Sequence, residues 1–171
     1  MNLEVLQENP NGFKAVKGLV LLDDYKTSSE LPWVRIPTYR RDQFTDFFPG
    51  CIDLAGGNRD EFDIDIFHTF QREVDEEFGI PVRREDVLYA QAHNGQPRDD
   101  DKLVLPSLFV VAKVIQPAGI EFPKTGEGNE HQPMVLADYL QRKDTIPQQV
   151  ERVLDFMVWA SKADLDSSSF I

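Results

Sequence analysis

The sequence predicts an α/β fold, a mixed β-sheet covered by helices on both sides, and three observations carry that prediction. Residues 13–22 (FKAVKGLVLL) and 103–115 (LVLPSLFVVAKVI) are apolar enough to be central strands. Between them, residues 60–78 hold neither proline nor glycine, and Phe67, Phe70, Val74 and Phe78 recur at spacings of three and four, the period of an amphipathic helix. Strands flanked by helices, with one helix central after the third strand, indicate a layered sheet.

The first strand becomes continuously apolar in its second half and stops at the acidic turn Asp23-Asp24. Pro32, Pro37, Pro49 and Gly50 then punctuate a long stretch. Within it, residues 31–37 (LPWVRIP) predict a short extended piece and residues 39–50 (YRRDQFTDFFPG) an inserted loop. Residues 51–55 (CIDLA) form the third strand candidate. Gly79 ends the central helix, as a helix stop should. Residues 86–94 and 103–115 read as two strands joined by the polar connection GQPRDDDK, with Asp99-Asp100-Asp101 solvated at its tip. A loop follows, then a short helix over 134–140. Pro147 stands where a first-turn proline opens a final helix reaching about Lys162. The tails 1–12 and 164–171 should fray.

At 171 residues and 41% hydrophobic content the chain can bury one sizeable core, so a single domain over 1–171 is expected. Thirty acidic against eighteen basic residues give a net charge of -12, which repels nucleic-acid backbones and anionic lipid heads. A nucleic-acid or membrane partner is therefore disfavoured; a small molecule, or a second copy of the chain as a homodimer, is compatible with the composition. If the substrate is itself a phosphate compound, bound divalent cations must invert the local field. The lone Cys51 forms no internal disulfide, the start MNLEVLQENPNG lacks the features of a secretory signal, and no apolar run approaches the roughly 20 residues that cross a bilayer. These features predict a soluble cytoplasmic protein.

On a helical wheel Glu73, Glu76 and Glu77 share one arc beside the apolar stripe. Like charges at these spacings destabilise a helix, and Arg72 can offset one of them but not three. An acidic trio is ordinarily a solvated face. Here Glu77 borders the buried stripe, and Gly56-Gly57 stands ahead of the helix where a backbone can approach a phosphate closely. Mg²⁺ or Mn²⁺, which take oxygen ligands and bind substrate phosphates, suit such a cluster.

Residues 72–80 (REVDEEFGI) resemble, without a gap, the second half of the Nudix box, REUxEExGU with U aliphatic. Upstream, residues 52–57 (IDLAGG) are similar to the W-x-L-P-G-G that usually precedes it, with alanine for proline. Two departures stand out. Gly57 lies one residue farther from Arg72 than the family's G-x5-E-x7-R spacing, and Ile64 occupies the position of the upstream glutamate. Asp63 or Asp65 is a substitute for that acid, whose family role is mainly to support loop and helix.

The resemblance implies a Nudix-type α/β/α sandwich with a central catalytic helix. It implies metal binding by Glu73, Glu76 and Glu77, with Arg72 orienting a carboxylate and Gly56 and Gly57 shaping the substrate loop. The implied reaction is metal-dependent hydrolysis of a nucleoside diphosphate linked to another group, by water attack on a diphosphate phosphorus. Two alternatives remain: a non-catalytic Nudix-like domain that binds or senses a nucleotide, and an RNA 5′-end pyrophosphohydrolase, which sits poorly with the charge. Arg35, Arg40 and Arg41 form the densest basic group, able to grip a phosphate or to lie on the surface. The catalytic base is expected from the loop KTGEGNEHQP, with Glu130 ahead of Glu127 and His131 a further possibility. Cys51, His68 and His93 read as structural, while Trp33, Tyr39 and Phe44 could stack on a base or anchor the core.

Overall fold

A computed structural model of the chain describes residues 12–23, 31–45, 47–93, 106–115, 130–131 and 133–163. The GQPRDDDK connection, Glu127 with its neighbouring glycines, and nearly all of both expected tails lie outside them. The architecture is α/β, as the sequence predicts. The chain divides into two compact units, Met1–Leu19 with Ala55–Ala112 and Val20–Leu54 with Lys113–Ile171. Two long strands, β1 (Ala15–Asp23) and β6 (Ser107–Ile115), run through both.

In the first unit the strand order is β5-β6-β1, with β5 at Val87–His93. β5 and β6 pair antiparallel from Val87↔Ala112 to His93↔Ser107, with a register shift between Val87 and Tyr89. Residues 108–112 are fully buried, the all-apolar pattern of an interior strand. The helix α1 (Ile66–Phe78) buries Ile66, Phe67, Phe70, Val74 and Phe78. A Cβ at Gly18 of β1 would collide with the Phe70 ring, so glycine there permits the close approach of strand and helix.

α1 begins six residues later than its proline-free run suggests. Aspartates explain the difference: the Asp63 carboxylate accepts the N–H of Asp60, and Asp65 caps the helix by accepting the His68 N–H at 2.8 Å. Short acidic side chains that take local N–H groups hold the chain out of the helix and then start it. Gly79 ends α1 in the left-handed region at φ 64°, its N–H returning to Asp75 O.

In the second unit β2 (Arg35–Ile36) pairs with β1 at Leu22↔Arg35 and with β8 (Met134–Val135). A three-stranded sheet joins β4 (Ile52–Asp53), β3 (Tyr39–Arg40) and β7 (Glu130–His131), both ladders antiparallel. Ile52 also makes a parallel bridge to Thr145. Helices α2 (Leu136–Gln141) and α3 (Pro147–Lys162) follow, α3 opening on its proline as expected. Several expectations shift. Pro32 sits in a 3₁₀ turn over Leu31–Trp33 instead of an extended piece, the inserted loop starts with β3, and Met134–Val135 pairs as a strand before α2 begins.

Candidate active site

The box residues converge in the first unit because the glycine loop runs antiparallel beside β1. Ala15 bridges Asn58 and Gly18 bridges Ala55, with Val16 N donating to Gly57 O at 3.0 Å and Gly18 N to Ala55 O at 2.9 Å. Gly56 has φ 138°, a conformation that other residues rarely adopt, and a Cβ there would strike the Val16 carbonyl.

Both loop glycines meet carboxylates of α1. The Gly56 N–H donates to Glu77 Oε2 at 3.1 Å. A Cβ at Gly57 would collide with the Glu73 carboxylate, so glycine lets that side chain lie directly against the loop backbone. Glu73 is sheltered, with 14% of its side chain exposed, whereas Glu76 is 59% exposed. Burial holds the Glu73 carboxyl above its ordinary range, opposed by Arg72 and by the nearby charge of Lys17.

Arg72 links this cluster to the loop ahead of the helix. Its NH1 lies 2.9 Å from Glu73 Oε1 and 3.1 Å from Glu76 Oε2. Its Nε and NH2 donate to Oδ1 and Oδ2 of Asp63 at 3.2 and 3.1 Å, and NH2 also reaches the Asn58 carbonyl at 3.2 Å. Of the two acids able to replace the missing glutamate, Asp63 makes this contact. Asp65 caps α1 and pairs with Arg84 at 2.5 Å. Burial pushes the Asp63 carboxyl up, but its bonds to Arg72, the Asp60 N–H and Thr69 outweigh that and bring it to about 2.

The donor set fits a hard divalent cation. Three carboxylates share one arc of α1, one of them is desolvated, and a desolvated carboxylate gains most from a cation. Among the described residues no three acidic, His or Cys side chains converge into a preformed cage. Arg72 NH1 is the common partner of Glu73 and Glu76, and Glu77 is held by the loop.

Arg35, Arg40 and Glu130 belong to the second unit. Arg35 is exposed on β2. Arg40 donates to Gly50 O at 2.6 Å and to Asp144 at 2.9 Å, and is paired in register with Glu130. Tyr39 is buried with its hydroxyl on Asp53, while Trp33 and Phe44 are 62% and 94% exposed. Lys17, which no motif in the sequence singles out, donates from Nζ to the Gly56 carbonyl at 3.1 Å. Its only signal was a charge inside an otherwise apolar strand.

No family model matches the chain, and no curated protein matches it. Solved structures do. The chain is similar to a Nudix hydrolase, RenU, from M. smegmatis, at 13% identity and a TM-score of 0.56, covering 85% of this chain and 86% of that one. It is similar to the NUDIX domain of Shewanella oneidensis NrtR complexed with ADP ribose, at 17% identity, a TM-score of 0.54 and 92% and 99% coverage. A C. elegans Ap4A hydrolase binary complex matches at 14% identity, a TM-score of 0.56 and 87% and 99% coverage. At these identities the likeness shows the fold, and the fold is that of the Nudix hydrolases.

Proposed function

We propose that the chain is a Nudix hydrolase that cleaves a nucleoside diphosphate linked to another group, by water attack on a phosphorus of the diphosphate. One observation carries the reading: two carboxylates of the box, Glu73 and Glu77, lie on the backbone of the glycine pair, so acidic donors and phosphate loop form one structure. Glu73, Glu76 and Glu77 would hold Mg²⁺ or Mn²⁺, which when bound supplies charge neutralisation and a water of lowered pKa. Arg72 aims Glu73 and Glu76, and Asp63 fixes Arg72 from its other edge. Glu130, an exposed residue of β7, is our choice of base, supported by its place in the segment after the long apolar strand, the part of the chain that supplies one in related branches. A neighbour complexed with ADP ribose and another that is an Ap4A hydrolase support a nucleotide derivative as substrate. Near-complete coverage of the Shewanella oneidensis NUDIX domain supports reading the chain as one hydrolase domain. Its lone Cys51 is compatible with a cytosolic site.

The test is product release from a panel of nucleotide sugars, dinucleotides and noncanonical nucleoside triphosphates with Mg²⁺ or Mn²⁺. Glu76→Gln and Glu77→Gln should each lower turnover by about a hundredfold or more with the fold retained. Wild-type turnover in both variants would remove these residues from the mechanism. A folded protein that binds members of the panel without cleaving them would favour the nucleotide-binding alternative, to which the loop insertion and missing glutamate point.

A further inference from the structure

We infer that Lys17 is a substrate-binding residue of this site, its ammonium gripping the diphosphate of the nucleotide substrate; the inference rests on the hydrolase reading above. The ladder between β1 and the glycine loop sets residue 17 beside Gly56, and Lys17 Nζ donates to the Gly56 carbonyl at 3.1 Å. Gly56 is also the residue whose N–H holds Glu77. A cation and a box carboxylate are thus fastened to the same loop residue, one through its carbonyl and the other through its N–H.

The alternative cation at the cluster, Arg72, has a different task. Its Nε and NH2 are engaged by Asp63 and Asn58, and its NH1 by Glu73 and Glu76. A guanidinium committed on every edge orients carboxylates and is poorly suited to recruiting an anion. A half-buried lysine is better suited, since its compact ammonium carries three donors on a flexible stem and can bridge a carbonyl and phosphate oxygens together. The need for it is electrostatic. A carboxylate trio in a chain of net charge -12 repels a diphosphate, and a positive charge at the loop offsets that repulsion.

The experiment is calorimetric binding of ADP with Mg²⁺, at low and moderate salt, to wild type, Lys17→Met, Lys17→Gln and Lys17→Arg. Separate titrations follow Mn²⁺ alone. Lys17→Gln keeps a donor for the Gly56 carbonyl while removing the charge, so it separates loop support from phosphate binding and serves if Lys17→Met does not fold. The expected result is ADP affinity weakened about tenfold or more in Met and Gln with a shallower salt dependence, most of it regained in Arg. Mn²⁺ affinity without nucleotide should stay level or rise, because a nearby positive charge has gone. ADP binding in Lys17→Gln equal to wild type would overturn the role of Lys17 and leave the hydrolase reading standing. Loss of Mn²⁺ and ADP binding in equal proportion would also overturn it, making Lys17 a support of the loop. A folded wild type that binds no ADP with metal yet releases product from the nucleotide panel would overturn the inference alone. One that neither binds ADP nor cleaves any member of the panel would bring down the hydrolase reading and the inference with it.

Discussion

Each unit of the molecule contains a buried aspartate paired with an arginine, and the two pairs do different work. In the second unit Asp53, fully buried, accepts the Tyr39 hydroxyl at 3.2 Å, Arg41 NH1 at 2.7 Å, the Leu54 N–H at 2.8 Å and the Gln149 amide. The groups around it are themselves structural, and Arg41 Nε is buried with no hydrogen-bond partner among the described residues. In the first unit Asp63 holds Nε and NH2 of Arg72, but the remaining edge of that guanidinium is turned to Glu73 and Glu76. A buried ion pair therefore points to chemistry only when the far side of one partner meets groups that can react. Otherwise it specifies how strands and helices of the unit fit together.

The largest expected effect breaks the structural pair. Asp53→Ala strands Arg41 in a partly buried position and removes the carboxylate that the Tyr39 hydroxyl and the Gln149 amide donate to, while the Leu54 N–H keeps Gln149 Oε1 as acceptor at 3.2 Å. Removing one partner of such a pair costs about 3–5 kcal/mol. Urea unfolding reads the loss, and the folded fraction should turn over substrate at the wild-type rate. A cost under about 1 kcal/mol would mean that the network is open to water and that the contrast with Asp63 is overdrawn.

Asp63 gives a smaller effect with a distinctive pH signature. Its folded-state carboxyl sits at about 2 against an ordinary 3.8. A depressed carboxylate stabilises the fold above its unfolded value, and that contribution is lost as pH falls through the folded value. The window is therefore about pH 4 down to 2, and the contribution is of order 2 kcal/mol. Unfolding free energies of wild type minus Asp63→Asn, measured across pH 2 to 5, should rise with pH inside that window and level off above it. A flat difference would show that Arg72 does not hold Asp63 in solution.

The contrast also explains what was legible in the sequence. The box was legible because residues 72–80 are contiguous and one helix carries them, so spacing alone put Glu73, Glu76 and Glu77 on one arc. Gly79 and Pro147 marked helix ends correctly because their backbone constraints act locally. The start of α1 is not legible, because aspartate side chains intercept N–H groups, a competition invisible to hydrophobic period. Strands β2, β3, β4, β7 and β8 have two residues each, too few to show a period of two. The Asp53 network joins residues 96 positions apart, and Lys17 meets Gly56 from 39 positions away. Such meetings depend on strand register, which no local pattern encodes.

The smallest effect decides between the two acids that could replace the missing glutamate. Asp65 lies closer in sequence to the family's position than it does in role, since its carboxylate caps α1 and pairs with the half-exposed Arg84. Losing an N-cap costs about 1 kcal/mol, and a pair as exposed as this one adds little. Asp65→Ala should therefore lower stability by about that amount and leave kcat and metal affinity of the folded enzyme unchanged. Asp63→Asn should lower kcat about tenfold, because Arg72 then aims Glu73 and Glu76 less well. Partial recovery in Asp63→Glu, which restores the charge at a longer reach, would mark the effect as positioning and separate it from a general loss of fold. Equal losses of kcat in Asp65→Ala and Asp63→Asn would mean that helix initiation as a whole, not the grip on Arg72, supports the carboxylates.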